Sequence, residues 1–232
     1  MISLIIPVYN ESENLPDLLE KIASLEVSSS LELVIVDDSY DDLTLKSTES
    51  FNSRLNIKYL HRKKRLGLAS AVIDGFNEAS SGILVCMDGD GSHPPQKIDE
   101  LGAMIREGHS MVMASRNVPG GGADSEWSSV RKLISKICNL LVRPLTGIKD
   151  PMSGFFAVSK DFFESVKPRL KPISYKIALE LAVKGRLKGI PEIPFKFEER
   201  KAGSSKVNFS VIGGMIYHFI SLYCWRVFAR KV

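Results

Sequence analysis

The chain has 232 residues, 44% of them hydrophobic and 25% charged, with a formal net charge of +4. That is enough apolar material for one well-buried domain, or one domain with an appendage, and it excludes a disordered or low-complexity chain. The basic residues gather in Arg62 to Arg65, in Arg131, Lys132, Lys136 and Arg143, and in Arg226, Arg230 and Lys231. This suits an anionic small ligand or a membrane surface and argues against nucleic acid, which brings a stronger basic stripe and a docking motif.

In chain order, short apolar runs alternate with helical patterns, the signature of βαβ units and a mostly parallel sheet. Strands are predicted at Ser3 to Pro7, Leu31 to Val36, Ile57 to Leu60, Gly82 to Met87 and Met111 to Ala114. Helices are predicted at Leu15 to Leu25, with Asn14 as cap and Pro16 in the first turn, and at Leu43 to Phe51, Leu68 to Ala79 and Pro95 to Glu107. Right-handed crossovers place the loops after Pro7, Val36 and Met87 on one rim. The second half is less regular. Val118 to Ala123 reads as a mobile loop, Trp127 to Leu141 as a helix, Ser153 to Val158 as a short element, Ile177 to Lys184 as a helix and Pro194 to Glu198 as a strand.

Phe209 to Phe228 is apolar with polar breaks at Ser210, His218, Ser221 and Arg226. Ile212, Met215, Ile216, Phe219, Leu222 and Tyr223 recur at helical spacing. We expect residues 1–208 to form the main domain and 209–232 an amphipathic helix lying on a membrane surface. The segment is too interrupted to span a bilayer. Cys86, Cys138 and Cys224 lack metal or redox spacing, two of them sit in apolar runs and read as small core residues, and a reducing compartment fits. The start at Ile2 reads as a first strand and not a secretion leader. The expected location is cytoplasmic, peripheral on the cytosolic face of a membrane.

The most informative segment is Val85 to Pro95, where an apolar strand ends in Asp88-Gly89-Asp90. On an extended backbone Asp88 and Asp90 project to the same side, and their oxygens suit magnesium or manganese carrying a diphosphate. A calcium loop would want Gly and Glu where His93 and Asp99 stand. An ordinary acidic turn remains the plain alternative, weakened by the buried strand before it. His93, between Ser92 and two prolines, reads as a loop hydrogen-bonding residue and not a metal ligand. Arg62-Lys63-Lys64-Arg65 reads as solvated charge.

Pro7-Val8-Tyr9-Asn10-Glu11, Asp37-Asp38, Gly67-Leu68-Ala69-Ser70-Ala71 and Asp88-Gly89-Asp90 with His93-Pro94-Pro95 resemble the successive motifs of the family 2 inverting glycosyltransferases, the GT-A fold. Trp127 to Ser135, Asp150 to Phe155 and Arg200 to Lys206 are similar to the acceptor-side motifs of the dolichol-phosphate mannose synthases within that family. The resemblance covers nearly the whole chain. It implies that Pro7, Tyr9, Glu11, Val36 and Asp38, with Asp88, Gly89 and Asp90, hold the nucleotide sugar. Asp88 and Asp90 would carry Mg2+ or Mn2+, and Arg116, Arg131, Ser135, Arg200 and Lys206 would surround the acceptor phosphate, with Asp88, Asp90, Arg131 and Arg200 catalytic. Two positions depart from the family pattern. Ser92 stands where some relatives have glutamine, and Phe156 where many have arginine.

The implied reaction is inverting transfer of mannose from GDP-mannose to a polyprenyl (dolichyl) monophosphate at a membrane surface, a setting that also admits a membrane-anchoring partner subunit. A phosphate acceptor is already an anion, so no catalytic base has to be found. A UDP-sugar synthase making glucosyl or N-acetylhexosaminyl lipid is the alternative within the class. A nucleotidyltransferase and a non-catalytic nucleotide-binding subunit are the alternatives outside it.

Overall fold

In the computed structural model, which describes residues 1–123, 139–171, 176–198 and 209–228, alternate residues of the first strands enter opposite apolar layers. β1 (Ile2–Val8) gives Leu4 and Ile6 to one layer and Ile5 to the other. β2 (Leu31–Asp37) divides Leu33 and Ile35 from Val34 and Val36 in the same way. Every residue of both strands is buried, as expected where helices cover both faces of a sheet. β3 (Asn56–His61), β4 (Ile83–Cys86), β5 (Met111–Ser115), β7 (Phe156–Ser159) and β8 (Glu192–Pro194) complete a seven-stranded sheet of order β3-β2-β1-β4-β7-β5-β8. Its pairings are parallel except those of β7 with β4 and with β5. The expected α/β fold with a mostly parallel sheet is therefore present. A separate pair joins β6 (Gly122–Ala123) to β9 (Lys196–Phe197).

The helices are α1 (Leu15–Ala23), α2 (Leu43–Thr48), α3 (Leu68–Glu78), α4 (Ile98–Arg106), α5 over 139–146, α6 (Lys160–Val166), α7 (Ile177–Lys184) and α8 (Phe209–Phe228). Phe76 of α3 meets Phe156 and Phe163 edge to face at 6.1 and 5.0 Å, locking α3 and α6 onto β7.

Several expectations need correction. Asn14 does not cap α1 through its side chain. It is itself in the helical region, and its Nδ2 donates to Glu11 Oε2 at 2.8 Å. The segment from Val118 forms a turn, with Gly121 N–H bonded to Val118 O at 2.9 Å, and its end, Gly122–Ala123, is the short strand β6 rather than loop. Gly121 is needed there because a Cβ would stand 2.6 Å from Ser115 O. The strand expected from Pro194 is split into β8 and β9 around Phe195. Helix α6 was missed; its signal is Ser159, whose Oγ accepts from Phe162 N–H at 3.2 Å as an N-cap. The predicted helix at Trp127 to Leu141 falls largely outside the described residues, and the described helix runs on to 146.

Helix α8 departs from the single-face reading. Phe219 and Leu222 are buried with Val142, Leu145, Leu179 and Val183, and His218, expected as a polar break, is buried beside them. Ile216, Tyr217, Ile220, Val227 and Phe228 face outward, and Tyr223 is also exposed. The helix is apolar around most of its circumference, so spacing alone does not say which stripe packs. Cys224 is likewise exposed, while Cys86 is buried as expected. Among the described residues no helix is long and apolar enough to cross a membrane.

Candidate active site

β1 pairs with β2 on one side and β4 on the other, so strand order reverses there and a crevice opens beyond the strands' carboxyl ends. The loops after β1, β2, β3 and β4 meet at that rim. Asp38 N–H donates to Val8 O at 3.1 Å, and Asn10, in the left-handed region at φ 54, donates its N–H to Ser39 Oγ at 2.8 Å. These bonds tie the Tyr9 loop to the Asp38 loop.

The two neighbouring aspartates have different tasks. Asp37 is fully buried: Oδ1 accepts from Ser39 N–H at 2.8 Å and Ser39 Oγ at 2.5 Å, and Oδ2 from Tyr59 Oη at 2.7 Å. Burial first, and then the bond to Asp37, push the Tyr59 phenol well above its usual range, so it stays a donor. Asp38 Oδ1 faces Arg62, which donates from Nε at 2.6 Å and also from Nη2. Asp38 Oδ2 accepts the N–H groups of Leu66 and Gly67 at 3.0 and 2.9 Å. Arg62 Nη1 reaches Ser70 Oγ at 2.7 Å and Asp74 Oδ2 at 2.9 Å. With 9% of its side chain exposed, Arg62 is a bound hub and not the solvated charge its basic run suggested.

The sheet ladder ends at Met87, whose N–H bonds Ile5 O at 3.0 Å. Asp88 N–H then leaves the sheet and donates to His93 Nδ1 at 3.1 Å. That imidazole is stacked on Phe155 at 5.1 Å and edged by Phe195 and Phe197. Burial holds its pKa below the ordinary value against the opposing pull of Asp88 and Asp90. A neutral ring accepting at Nδ1 is a fixed support for the turn, as the hydrogen-bonding reading of His93 expected.

Gly89 and Asp90 form a turn, so the same-side argument from an extended strand does not apply. Gly89 is required instead by contact, since a Cβ would lie 2.5 Å from Val8 Cγ1. Asp90 Oδ1 accepts from Ser92 N–H at 3.1 Å and Ser92 Oγ at 2.6 Å. Asp88 and Asp90 are each only partly buried at this rim. Among the described residues no group of three or more His, Cys, Asp or Glu side chains is arranged to hold a metal. A pair of carboxylates nevertheless fits magnesium or manganese, which takes one or two carboxylates and completes its shell with phosphate oxygens and water.

Asp88 also lines a small crevice, together with Gly154, Lys176, Cys86 and Phe156. Lys176 Nζ is anchored on Met152 O at 2.7 Å. Lys176 is not singled out by the sequence, and Gly154 enters there only within the Asp150 to Phe155 motif, because nothing in local spacing brings either beside Asp88. Phe156 is fully buried there.

Arg116 is bound by Asp150: Nε and Nη2 donate to the carboxylate at 2.7 and 2.8 Å, and the Arg116 N–H adds a third bond at 2.9 Å. Its guanidinium also lies 5.6 Å from the Phe197 ring centroid. Arg131, Ser135, Arg200 and Lys206 lie outside the described residues.

The fold has parallels among solved structures. Glucosyl-3-phosphoglycerate synthase from Mycobacterium tuberculosis, crystallised with Mn2+, UDP-glucose and phosphoglyceric acid, superposes with a TM-score of 0.66 over 97% of this chain and 79% of that one, at 18% identity. A complex of that enzyme with Mg2+ and UDP gives 0.67 over 97% and 79%, at 19% identity. The likeness establishes the GT-A fold. Residues 3–166 match glycosyl transferase family 2, and the chain belongs to that family of glycosyltransferases. It is 39% identical over 229 residues to a dolichol-phosphate mannosyltransferase of Pyrococcus furiosus, covering 97% of this chain and 64% of that protein. It is 35% identical to the dolichol-phosphate mannosyltransferase of Saccharomyces cerevisiae, covering 99% and 90%.

Proposed function

We propose that the protein transfers mannose from GDP-mannose to a polyprenyl or dolichyl monophosphate with inversion, using Mg2+ or Mn2+, at the cytosolic face of a membrane. The observation that carries the reading is the position of Asp88 and Asp90 at the β1–β4 switch point, beside the Tyr9 loop, in a chain similar along nearly its whole length to named dolichol-phosphate mannosyltransferases. In this reading Pro7, Tyr9, Glu11, Val36, Asp38 and Gly89 line the nucleotide-sugar side. Asp88 and Asp90 would hold the cation, which supplies positive charge to the departing diphosphate. Arg131, Ser135, Arg200 and Lys206 take the acceptor phosphate, with Arg116 at its edge.

The protein's remaining tasks are positioning and electrostatics. The acceptor oxygen is a ready nucleophile, and it has to be held in line with the anomeric carbon while arginine forks bind its other oxygens. The outward stripe of α8 then rests on the membrane that carries the lipid. The deciding experiment incubates the protein with labelled GDP- and UDP-sugars and a short polyprenyl phosphate. Label passing from GDP-mannose into lipid supports the reading. Transfer only from a UDP-sugar shifts it to another sugar, and pyrophosphate release overturns it.

A further inference from the structure

The loop between β3 and α3 is built toward the site by bonds to the two aspartates that end β2 and open the loop after it. Arg62 N–H donates to Asp37 O at 2.9 Å, and the Leu66 and Gly67 amides close on Asp38 Oδ2. Lys63 and Gly67 adopt left-handed backbone at φ 50 and 95. The base of the loop is thus held from beneath by a carboxylate and a bound guanidinium. Its exposed tip carries Arg65 across to the first loop, where Arg65 Cζ stands 4.6 Å from the Tyr9 ring centroid. That distance is a cation–π contact between groups from loops that follow different strands.

Strand order says which part of a ligand this pair would meet. The loops run β3, β2, β1, β4 along the rim, and the carboxylates Asp88 and Asp90 sit at the β4 end. In the donor-site reading, which puts the diphosphate by those carboxylates and the nucleoside on Tyr9, Glu11 and Asp38, the nucleoside lies on the β2 and β3 side, where Tyr9 and Arg65 meet. We propose that Arg65 is a donor-binding residue that stacks on the base, with Tyr9 backing its guanidinium. The Tyr9–Arg65 spacing does not admit a third plane between them, so the base rests on the outer plane of the guanidinium. Arg62 and Asp38 act through the loop, as positioning residues. The inference rests on the donor-site reading above.

The test uses the full chain, Mg2+, and calorimetry with GDP and GMP. Replacing the exposed Arg65 by Ala leaves the loop's anchors in place, and it weakens both nucleotides by about tenfold in equal proportion, the size of one lost stacking contact. Arg65→Lys recovers little of that loss, because the plane and not the charge is what stacks. Unchanged affinity in Arg65→Ala overturns the inference while leaving the donor site standing. A loss confined to GDP places Arg65 at the phosphates and overturns the nucleoside assignment, as does full rescue by lysine. If the wild type binds neither nucleotide, the donor-site reading itself has failed, and the inference falls with it.

Discussion

Gly154 lies directly against the carboxylate of Asp88: a Cβ at position 154 would stand 3.0 Å from Oδ1 and 3.1 Å from Oδ2. The colliding atoms are the end of a partly exposed side chain, so an added methyl displaces Asp88 more readily than it disturbs the fold. Gly154→Ala is therefore expected to lower kcat by roughly ten- to a hundredfold through misplacement of a group at the reacting end of the donor. Its thermal midpoint should stay near that of the wild type. Steady-state kinetics beside a thermal melt checks this, and a full-speed Gly154→Ala enzyme would show that Asp88 needs no fixed place.

Asp90 is held differently, by Ser92, whose N–H and hydroxyl both address Oδ1. Asp90→Asn should abolish turnover and divalent-dependent GDP binding, because an amide does not neutralise the cation, and Asp88→Asn should be similarly damaging. Ser92→Ala should weaken metal-dependent binding only severalfold, since it removes one of the bonds that orient the carboxylate. Calorimetry with and without Mn2+ separates the cases. Unchanged divalent dependence in both Asp88→Asn and Asp90→Asn rules out the metal assignment.

The sequence made the rim legible because its signals are local. A buried strand ending in Asp88-Gly89-Asp90, with Tyr9 and Asp38 at the ends of neighbouring strands, needs only the alternation of apolar runs with helical patterns and βαβ handedness to be brought together. What it hid depends on distant pairing. Arg62 looked solvated because its run is basic, yet its partners Asp38 and Asp74 lie on other elements. Gly154 and Lys176 reach Asp88 only through the antiparallel insertion of β7 beside β4, which breaks the βαβ pattern. Helix α8 misled for the opposite reason, since its apolar residues are too many for spacing to select a face.

Arg116 and the acceptor arginines should separate experimentally. Arg116→Ala leaves the fully buried Asp150 without its cation and is expected to cost about 3–5 kcal/mol of stability. Arg131→Ala and Arg200→Ala should instead keep stability and raise KM for the lipid acceptor much more than KM for the nucleotide sugar. Denaturant unfolding beside kinetics in each substrate decides it. An Arg116→Ala protein of normal stability with a raised acceptor KM would move Arg116 from anchor to ligand.

Glu32 gives a pH test at the opposite end of the sheet. Burial raises the pKa of this carboxyl, but bonds from Ser3, the Ser80 N–H and Lys58 outweigh burial and leave it below 4.5. A pKa depressed by folding stabilises fully above the unfolded value, and that contribution is lost as pH falls through the folded one. Glu32→Gln should therefore be less stable than the wild type near neutrality, with the gap narrowing below about pH 4. Far from the crevice, it should leave kcat at pH 7 unchanged. A stability gap that is constant with pH would exclude the ionised carboxylate as its source.

The last prediction concerns the two faces of α8. Phe219 and Leu222 seal a cluster with α5 and α7, whereas Ile216 and Ile220 are 53% and 58% exposed. Removing the helix confounds membrane contact with loss of core, so point changes on each face are the sharper probe. Ile216→Glu with Ile220→Glu should keep the fold, because neither side chain is buried. It should abolish sedimentation with anionic liposomes and raise KM for long polyprenyl phosphates, while a short water-soluble acceptor is used as before. Leu222→Ala should do the reverse, costing about 2–5 kcal/mol of stability through the cavity it leaves, with liposome binding retained at temperatures where the protein is folded. If the double glutamate variant still sediments with liposomes, membrane contact comes from another surface. If it unfolds, the outward stripe of α8 is covered by protein and not by lipid.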